Sequence, residues 1–179
     1  MDYLTHYESP LGDMTIASDG KSLTGLWFDG QKYFASTLYA EHKENDSLPV
    51  FDAVRRWLDI YFCGEKPGFT PPLLLRGSQF QQRVWKQLLC IGYGQTTTYG
   101  ELGRMVTQTH GLTKVCARAV GGAVGHNPIS LIIPCHRVVG AGGKLTGYAG
   151  GVERKASLLK METQSFSVEQ LSPTNEKIF

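Results

Sequence analysis

Fourteen of the chain's 21 glycines fall between Gly92 and Gly151, a third of its 179 residues. Glycine inside a helix or strand costs about 0.5–1 kcal/mol relative to alanine, and it is the residue of turns and of backbone that approaches something closely. A segment this rich in it cannot be one long helix or a regular sheet. It must be short elements joined by irregular backbone, and such backbone is where ligands are held.

The segment lies in the more basic part of the chain. Residues 1–76 hold 7 Lys/Arg and 11 Asp/Glu, a net charge of −4, whereas residues 77–162 hold 10 Lys/Arg and 3 acids, a net of +7. Such segregation suggests two modules, the second either facing a polyanion or simply presenting a basic surface. In the first module, turn signals at Leu11-Gly12 and Asp19-Gly20 separate alternating strand-like runs between residues 3 and 28. Asp52 reads as the N-cap of an amphipathic helix whose inner face holds Ala53, Trp57, Ile60 and Tyr61, with Gly64 as the stop. The Pro/Gly-rich stretch Gly64 to Gly77 is the natural linker.

The second module opens with two capping boxes, Ser78-Gln79-Phe80-Gln81 and Thr98-Tyr99-Gly100-Glu101. The first predicts a helix that ends at Gly92. The second predicts a short helix with Leu102, Met105 and Val106 turned inward, followed by a loop over Thr107 to Leu112. A third helical stretch, Thr113 to about Val124, completes a helix-turn-helix pattern. Its surface is Ala117, Ala119, Val120, Gly121, Gly122 and Ala123, with Arg118 as the single long side chain. Gly-Gly within a helix costs on the order of 2 kcal/mol against Ala-Ala. Either a neighbouring helix packs closely there, or the helix is kept thin to enter a DNA minor groove only ~6 Å wide. A last helix, from Val152 to Glu162, is expected to bury Val152, Ala156 and Leu159, and the polar tail 163–179 to be loosely ordered.

The four cysteines, Cys63, Cys90, Cys116 and Cys135, lie 27, 26 and 19 residues apart, which fits neither a disulfide framework nor a zinc ribbon. No apolar run reaches the roughly 18 residues of a membrane span, and the N-terminus lacks a signal-peptide pattern, so a cytoplasmic protein is expected. Cys63, Cys90 and Cys116 are expected to be small buried hydrophobes. Cys135 differs, because it stands in Pro134-Cys135-His136-Arg137 between the apolar run Ile129 to Ile133 and the glycine loop. A thiolate is the reactive form, and imidazole or cationic neighbours favour it. His136 reaches an adjacent cysteine only through a turn or a bridging water, and it needs a carboxylate to orient it, for which Glu162 is the candidate. A nucleophilic cysteine of this kind suits a hydrolase, and the helix-turn-helix suits a non-catalytic DNA-binding module.

Pro134-Cys135-His136-Arg137-Val138, preceded by Ala117 to Ala123 and Asn127-Pro128 and followed by Gly147-Tyr148-Ala149-Gly150-Gly151, resembles the O6-alkylguanine-DNA alkyltransferases from about Phe80 to Glu162. The resemblance implies an α+β chain. A small ribonuclease-H-like α/β cap (1–76) is followed by a mostly helical, winged-helix-like DNA-binding domain with a helix-turn-helix (77–162), then the tail (163–179). It implies a monomer that binds double-stranded DNA through the minor groove, flips out an O6-alkylguanine and transfers the alkyl group once, irreversibly, to Cys135. His136 would take the thiol proton through a water, Glu162 would orient His136, and Asn127 would tie the recognition segment to the active-site loop. Arg118 would fill the gap in the stack, with Ala119 and Gly122 also at the DNA. Tyr99 would twist the phosphate and donate to the guanine ring. Tyr148 would wall the pocket, while the Ala149 N–H and the carbonyls of Cys135 and Val138 would read the guanine edge. Some relatives carry zinc in the cap. Here that module offers only Cys63, His6 and His42, so neither metal nor cofactor is expected.

Overall fold

The computed structural model describes residues 1–166 and divides the chain into two compact units. The first unit is residues 1–78 together with 128–132. Its four-stranded sheet, in the order β3-β2-β1-β4, comprises β1 (Asp2–Ser9), β2 (Gly12–Ser18), β3 (Leu23–Phe28) and the short β4 (His42–Glu44). β1, β2 and β3 form an antiparallel meander, and β4 runs parallel to β1. The β2–β3 turn forms because the Asp19 carboxylate accepts from the N–H groups of Lys21 (2.9 Å) and Ser22 (2.7 Å), while Gly20 supplies the left-handed φ of +103° that other residues resist. Gly25 is required for a different reason. The Trp27 ring lies over it, and a Cβ there would fall 1.9 Å from the indole.

Helix α1 (Pro49–Phe62) buries Val50, Phe51, Val54, Trp57, Leu58 and Tyr61. The expected face is therefore rotated: Trp57 and Tyr61 are inside, but Ala53 and Ile60 are only half-buried. The expected N-cap is also displaced. Leu48 occupies that position and Pro49 begins the helix, because proline's fixed φ suits a first turn whose N–H groups have no helical partner. Asp52 lies inside that first turn instead, where its negative charge complements the helix dipole. Residues 64–77 are more than a linker. Pro72 and Leu74 pair with Leu23, and Arg76 is clamped on the buried carboxylate of Asp2 at 2.7 and 2.8 Å. The same edge of β3 takes the apolar run 128–132, with Leu26 donating to Pro128 (2.9 Å) and accepting from Ser130 (2.8 Å).

The second unit contains α2 (Gln79–Leu88), β5 (Thr97–Thr98), α3 (Tyr99–His110), α4 (Ala117–Gly125), β6 (Val138–Val139) and α5 (Val152–Phe166), with β5 and β6 paired in parallel. α2 stops at Leu88 rather than Gly92, with Cys90 and Ile91 turning back onto its last carbonyls. α3 begins with the expected capping box: Glu101 N–H donates to Thr98 Oγ1 and the Glu101 carboxylate accepts from Thr98 N–H. It runs through Thr107 to His110 and closes on Gly111 in the left-handed conformation, so the loop begins later than its sequence suggests. α4 starts at Ala117, four residues after Thr113. The packing of these helices is set by small residues and one indole. Val120 sits 3.5 Å from where a Cβ on Gly103 would be, and Trp85 Nε1 donates to Ala123 O at 2.8 Å.

On α5 the inner residues are Lys155, Leu158, Leu159 and Glu162, whereas Val152 is 45% exposed. Its first turn faces outward, and the buried stripe begins one turn later. The tail's first residues continue α5 to Phe166; beyond that the tail lies outside the described residues. Among the described residues, no helix is long and apolar enough to cross a membrane.

Candidate active site

Cys135 opens a single 3-10 turn, Cys135–Arg137, closed by Arg137 N–H donating to Pro134 O at 3.0 Å. That turn removes the opposed orientation that an extended backbone would impose on Cys135 and His136. The Cys135 side chain is buried, and Asn127 reaches it from the residue just beyond α4's end. Asn127 Nδ2 donates to Sγ at 3.1 Å and to Ile133 O at 2.7 Å. Burial pushes the thiol pKa up from its ordinary value. The Asn127 hydrogen bond, the Lys155 charge and the N–H groups of the turn pull in the opposite direction. At rest the sulfur therefore keeps its proton, in surroundings arranged to stabilise the anion once that proton leaves.

His136 has no solvent exposure, and its Nε2 lies 2.6 Å from Glu162 Oε1. The same carboxylate accepts from Arg137 Nε (2.9 Å) and Nη2 (3.0 Å) and from Gly94 N–H (3.2 Å). Burial alone would raise the Glu162 pKa, but the hydrogen bonds from His136 and Arg137 and the Arg137 charge outweigh it and hold the group at about 2. Burial lowers the His136 pKa, the carboxylate only partly offsetting it. The imidazole is thus neutral, its Nε2–H committed to an ionised carboxylate and its basic lone pair on Nδ1. The ring is therefore able to accept a proton at Nδ1.

Cys135, Asn127, His136 and Glu162, selected from the sequence, thus form one buried group. Two members were not assigned roles from the sequence. Arg137 clamps Glu162 and donates to Ile91 O at 2.7 Å, and fully buried Lys155 donates to Val138 O at 2.5 Å. Arg137 stood in the motif itself. Lys155 could have been found from its spacing, seven residues before Glu162 and hence on the same face of one helix.

The other selected residues lie outside this buried group. Arg118, Ala119 and Gly122 are exposed on α4, and nothing lies within 4 Å of a Cβ built on Gly121 or Gly122. Close approach of a neighbouring helix therefore does not account for the glycine pair. Tyr99 begins α3, where its hydroxyl accepts from Thr146 Oγ1 at 3.3 Å, and it lines an open groove of about 290 Å³ with Arg104 and Lys114. Tyr148 and Ala149 are half-buried in the glycine loop. The remaining cysteines differ from expectation: Cys63, Cys90 and Cys116 are all exposed, Cys116 because it lies at the N-cap of α4, outside the helix. Of the residues considered for zinc, His6 contacts Glu44 at 3.4 Å and His42 Nδ1 lies 2.9 Å from Tyr39 O.

Two family profiles match in series. Residues 3–75 match the ribonuclease-like domain of 6-O-methylguanine DNA methyltransferase, and residues 79–164 match its DNA binding domain. The methylated-DNA–protein-cysteine methyltransferase of Haemophilus influenzae is 42% identical over 178 residues, 99% of this chain and 95% of that protein. The protein of the same description from Mycobacterium tuberculosis is 47% identical over 162 residues, 89% of this chain and 93% of its own. Among solved structures, Mycobacterium tuberculosis OGT in complex with DNA superposes with a TM-score of 0.79 at 44% identity, covering 91% of this chain and 94% of that one.

Proposed function

The chain belongs to the O6-alkylguanine-DNA alkyltransferases, also called methylated-DNA–protein-cysteine methyltransferases, and from that premise we propose that Cys135 is its alkyl acceptor. It is a DNA-repair methyltransferase whose partner is DNA carrying O6-alkylguanine. The observation that carries the assignment is the buried contact of Asn127 with Cys135 Sγ beside a histidine held by an ionised carboxylate.

The steps follow from this chain's own groups. The thiol proton passes to His136 Nδ1, through a water where the two do not meet directly, and Glu162 and Arg137 hold the ring that receives it. The thiolate, supported by the Asn127 N–H and the Lys155 charge, attacks the alkyl carbon. The S–C bond forms as the C–O6 bond breaks, and the electron pair leaves with guanine, whose charge is quenched by a proton from the Tyr99 hydroxyl. A thioether offers water no carbonyl to attack, so the thiol is not regenerated and each chain reacts once.

The target atom is inside the duplex, so the base must leave the stack at a cost of a few kcal/mol. Arg118 fills the gap. The space over Gly121 and Gly122 supports minor-groove entry, since no described residue lies within 4 Å of a Cβ built on either. Tyr148 and Ala149 border the guanine, and Cys135 O and Val138 O accept from its amine. Val138 O already accepts from Lys155, but a carbonyl has a second lone pair. The reading takes the chain to act as a monomer, and a thiol that must stay reduced suits the cytoplasm.

The test is intact mass after incubation with excess O6-methylguanine duplex, followed by peptide mapping. One methyl group per chain, on Cys135 and absent from Cys135→Ser, is expected. Turnover beyond one equivalent, or label on Cys63, Cys90 or Cys116, would overturn the assignment.

A further inference from the structure

Lysine is almost never fully buried unless its charge is paired. Lys155 has no exposure at all, and among the described residues no carboxylate forms an ion pair with it. Its ammonium instead points at three backbone carbonyls: Val138 O at 2.5 Å, and Thr146 O and Gly147 O at 3.4 Å each. An ammonium has three donors and no acceptor, so the set accounts for it fully. Val138 follows the Cys135 turn, whereas Thr146 and Gly147 belong to the glycine loop that carries Tyr148 and Ala149.

That loop lies at the surface of its unit. It is largely exposed from Ala141 to Gly147, and Gly142 and Gly143 adopt left-handed φ of +72° and +80°. Its backbone bonds, Gly140 to Lys144 (2.7 Å), Gly143 to Gly140 (3.0 Å) and Gly151 to Tyr148 (2.9 Å), shape the loop without tying it to the cysteine. Further ties run from Thr146 to the Tyr99 hydroxyl at 3.3 Å, which is exposed, and from Arg154 Nη1 on α5 to Gly150 O at 3.0 Å. The helix from which Lys155 projects is itself fixed, by buried Leu158 and Leu159 and by Glu162 on the same face.

We propose that Lys155 is a positioning residue whose ammonium gathers the carbonyls of Val138, Thr146 and Gly147 and so holds the glycine-rich loop over the Cys135 turn. α5 then sets both halves of the site from one face: Glu162 orients the base, and Lys155, seven residues earlier, sets the pocket wall. The inference rests on Cys135 being the alkyl acceptor.

Two measurements on Lys155→Met, with wild type alongside, test it. Methionine keeps most of the side-chain volume and loses the donors. The first is the rate of Cys135 alkylation by free O6-benzylguanine over a range of concentrations, separating the half-saturating concentration from the limiting rate. The second is trypsin cleavage after exposed Lys144 in the native protein. A clip predicts a half-saturating concentration at least tenfold higher in the variant and faster cleavage at Lys144, with affinity for undamaged duplex within twofold of wild type. An unchanged half-saturating concentration, or a loss confined to the limiting rate, would overturn the inference. Should Lys155→Met fail to fold, Lys155→Gln, which keeps two donors, is scored by the same criteria. Rapid cleavage at Lys144 in native wild type overturns the clip without any variant. Wild type that leaves O6-methylguanine duplex unreacted refutes the acceptor assignment; wild type that reacts, with a variant identical to it, refutes only the clip.

Discussion

Glu162 Oε1 lies 2.6 Å from His136 Nε2, and neither side chain has any exposure to solvent. A buried carboxylate is expensive unless its lone pairs are met by donors. Here Oε1 also accepts from Arg137 Nη2, and Oε2 accepts from Arg137 Nε and Gly94 N–H. The arginine makes the carboxylate's charge tolerable. The ionised carboxylate in turn fixes which nitrogen of His136 carries the hydrogen, and the basic lone pair is thereby assigned to Nδ1.

This group makes the fold acid-sensitive. Glu162 has its pKa lowered from 4.5 to about 2, so its stabilisation is fully present above about pH 4.5 and is lost as pH falls toward 2. His136 is held below its usual 6.5, so the unfolded chain binds a proton that the folded chain refuses, and stability also falls as pH drops through 6.5. Both signs agree. Each such proton gives a slope of at most about 1.4 kcal/mol per pH unit. Urea midpoints should be flat from pH 7 to 8 and fall steadily between pH 6 and 3. A midpoint unchanged from pH 7 to 4 would show that neither group titrates as described.

Arg137→Met should unfold more easily than its 8% exposure alone would suggest. The substitution strands the Glu162 carboxylate and removes the donor to Ile91 O, and breaking a buried pair costs about 3–5 kcal/mol. Equilibrium urea unfolding measures this directly. A loss below about 1 kcal/mol would mean that the carboxylate takes up a proton or water in place of the guanidinium.

How far the sequence carries depends on whether a residue's role is local. The capping box at Thr98 and Glu101 and the turns between the first three strands were legible, because turns and caps are decided by a few adjacent side chains. The contact of His136 with Glu162 was legible, because an imidazole that serves a nucleophilic cysteine needs a carboxylate to orient it. The start of α4 was not, since Thr113 to Cys116 carry no breaker that would exclude them from a helix. Nor was the role of Lys155. Lysine on a helix ordinarily marks the wet face, and only the tertiary fold brings three carbonyls to it. The exposed Cys116 was misread for a related reason: its neighbours are apolar in sequence, but it is the N-cap of α4, and the helix's first turn is itself exposed.

Arg118→Ala should slow transfer from O6-methylguanine in duplex DNA by at least tenfold while leaving the reaction with free O6-benzylguanine within about twofold. The side chain is exposed on α4, outside the buried site, so on the proposed reading its loss would affect extrusion of the base rather than chemistry at sulfur. Rapid-mixing assays on both substrates measure the two rates. Equal losses on both would mean that Arg118 supports the fold of α4 instead.

Gly122→Leu should separate stability from repair. Gly122 is helical and exposed, and nothing lies within 4 Å of a Cβ placed there, so the free protein accommodates a side chain without strain. Leucine recovers most of glycine's helix penalty, about 0.5–1 kcal/mol, which in a chain of this length raises the unfolding temperature by roughly 1–4 °C. The same side chain would project from the thinnest face of α4, where a narrow groove has to fit. Affinity for duplex DNA, and transfer from it, should therefore fall at least tenfold, while reaction with the free base stays near wild type. Calorimetry, a fluorescence titration at fixed salt and the free-base assay give the three quantities. If the variant is stabilised yet repairs duplex DNA at the wild-type rate, the glycine pair is not the groove-entering surface, and the low-propensity sequence of α4 needs another cause.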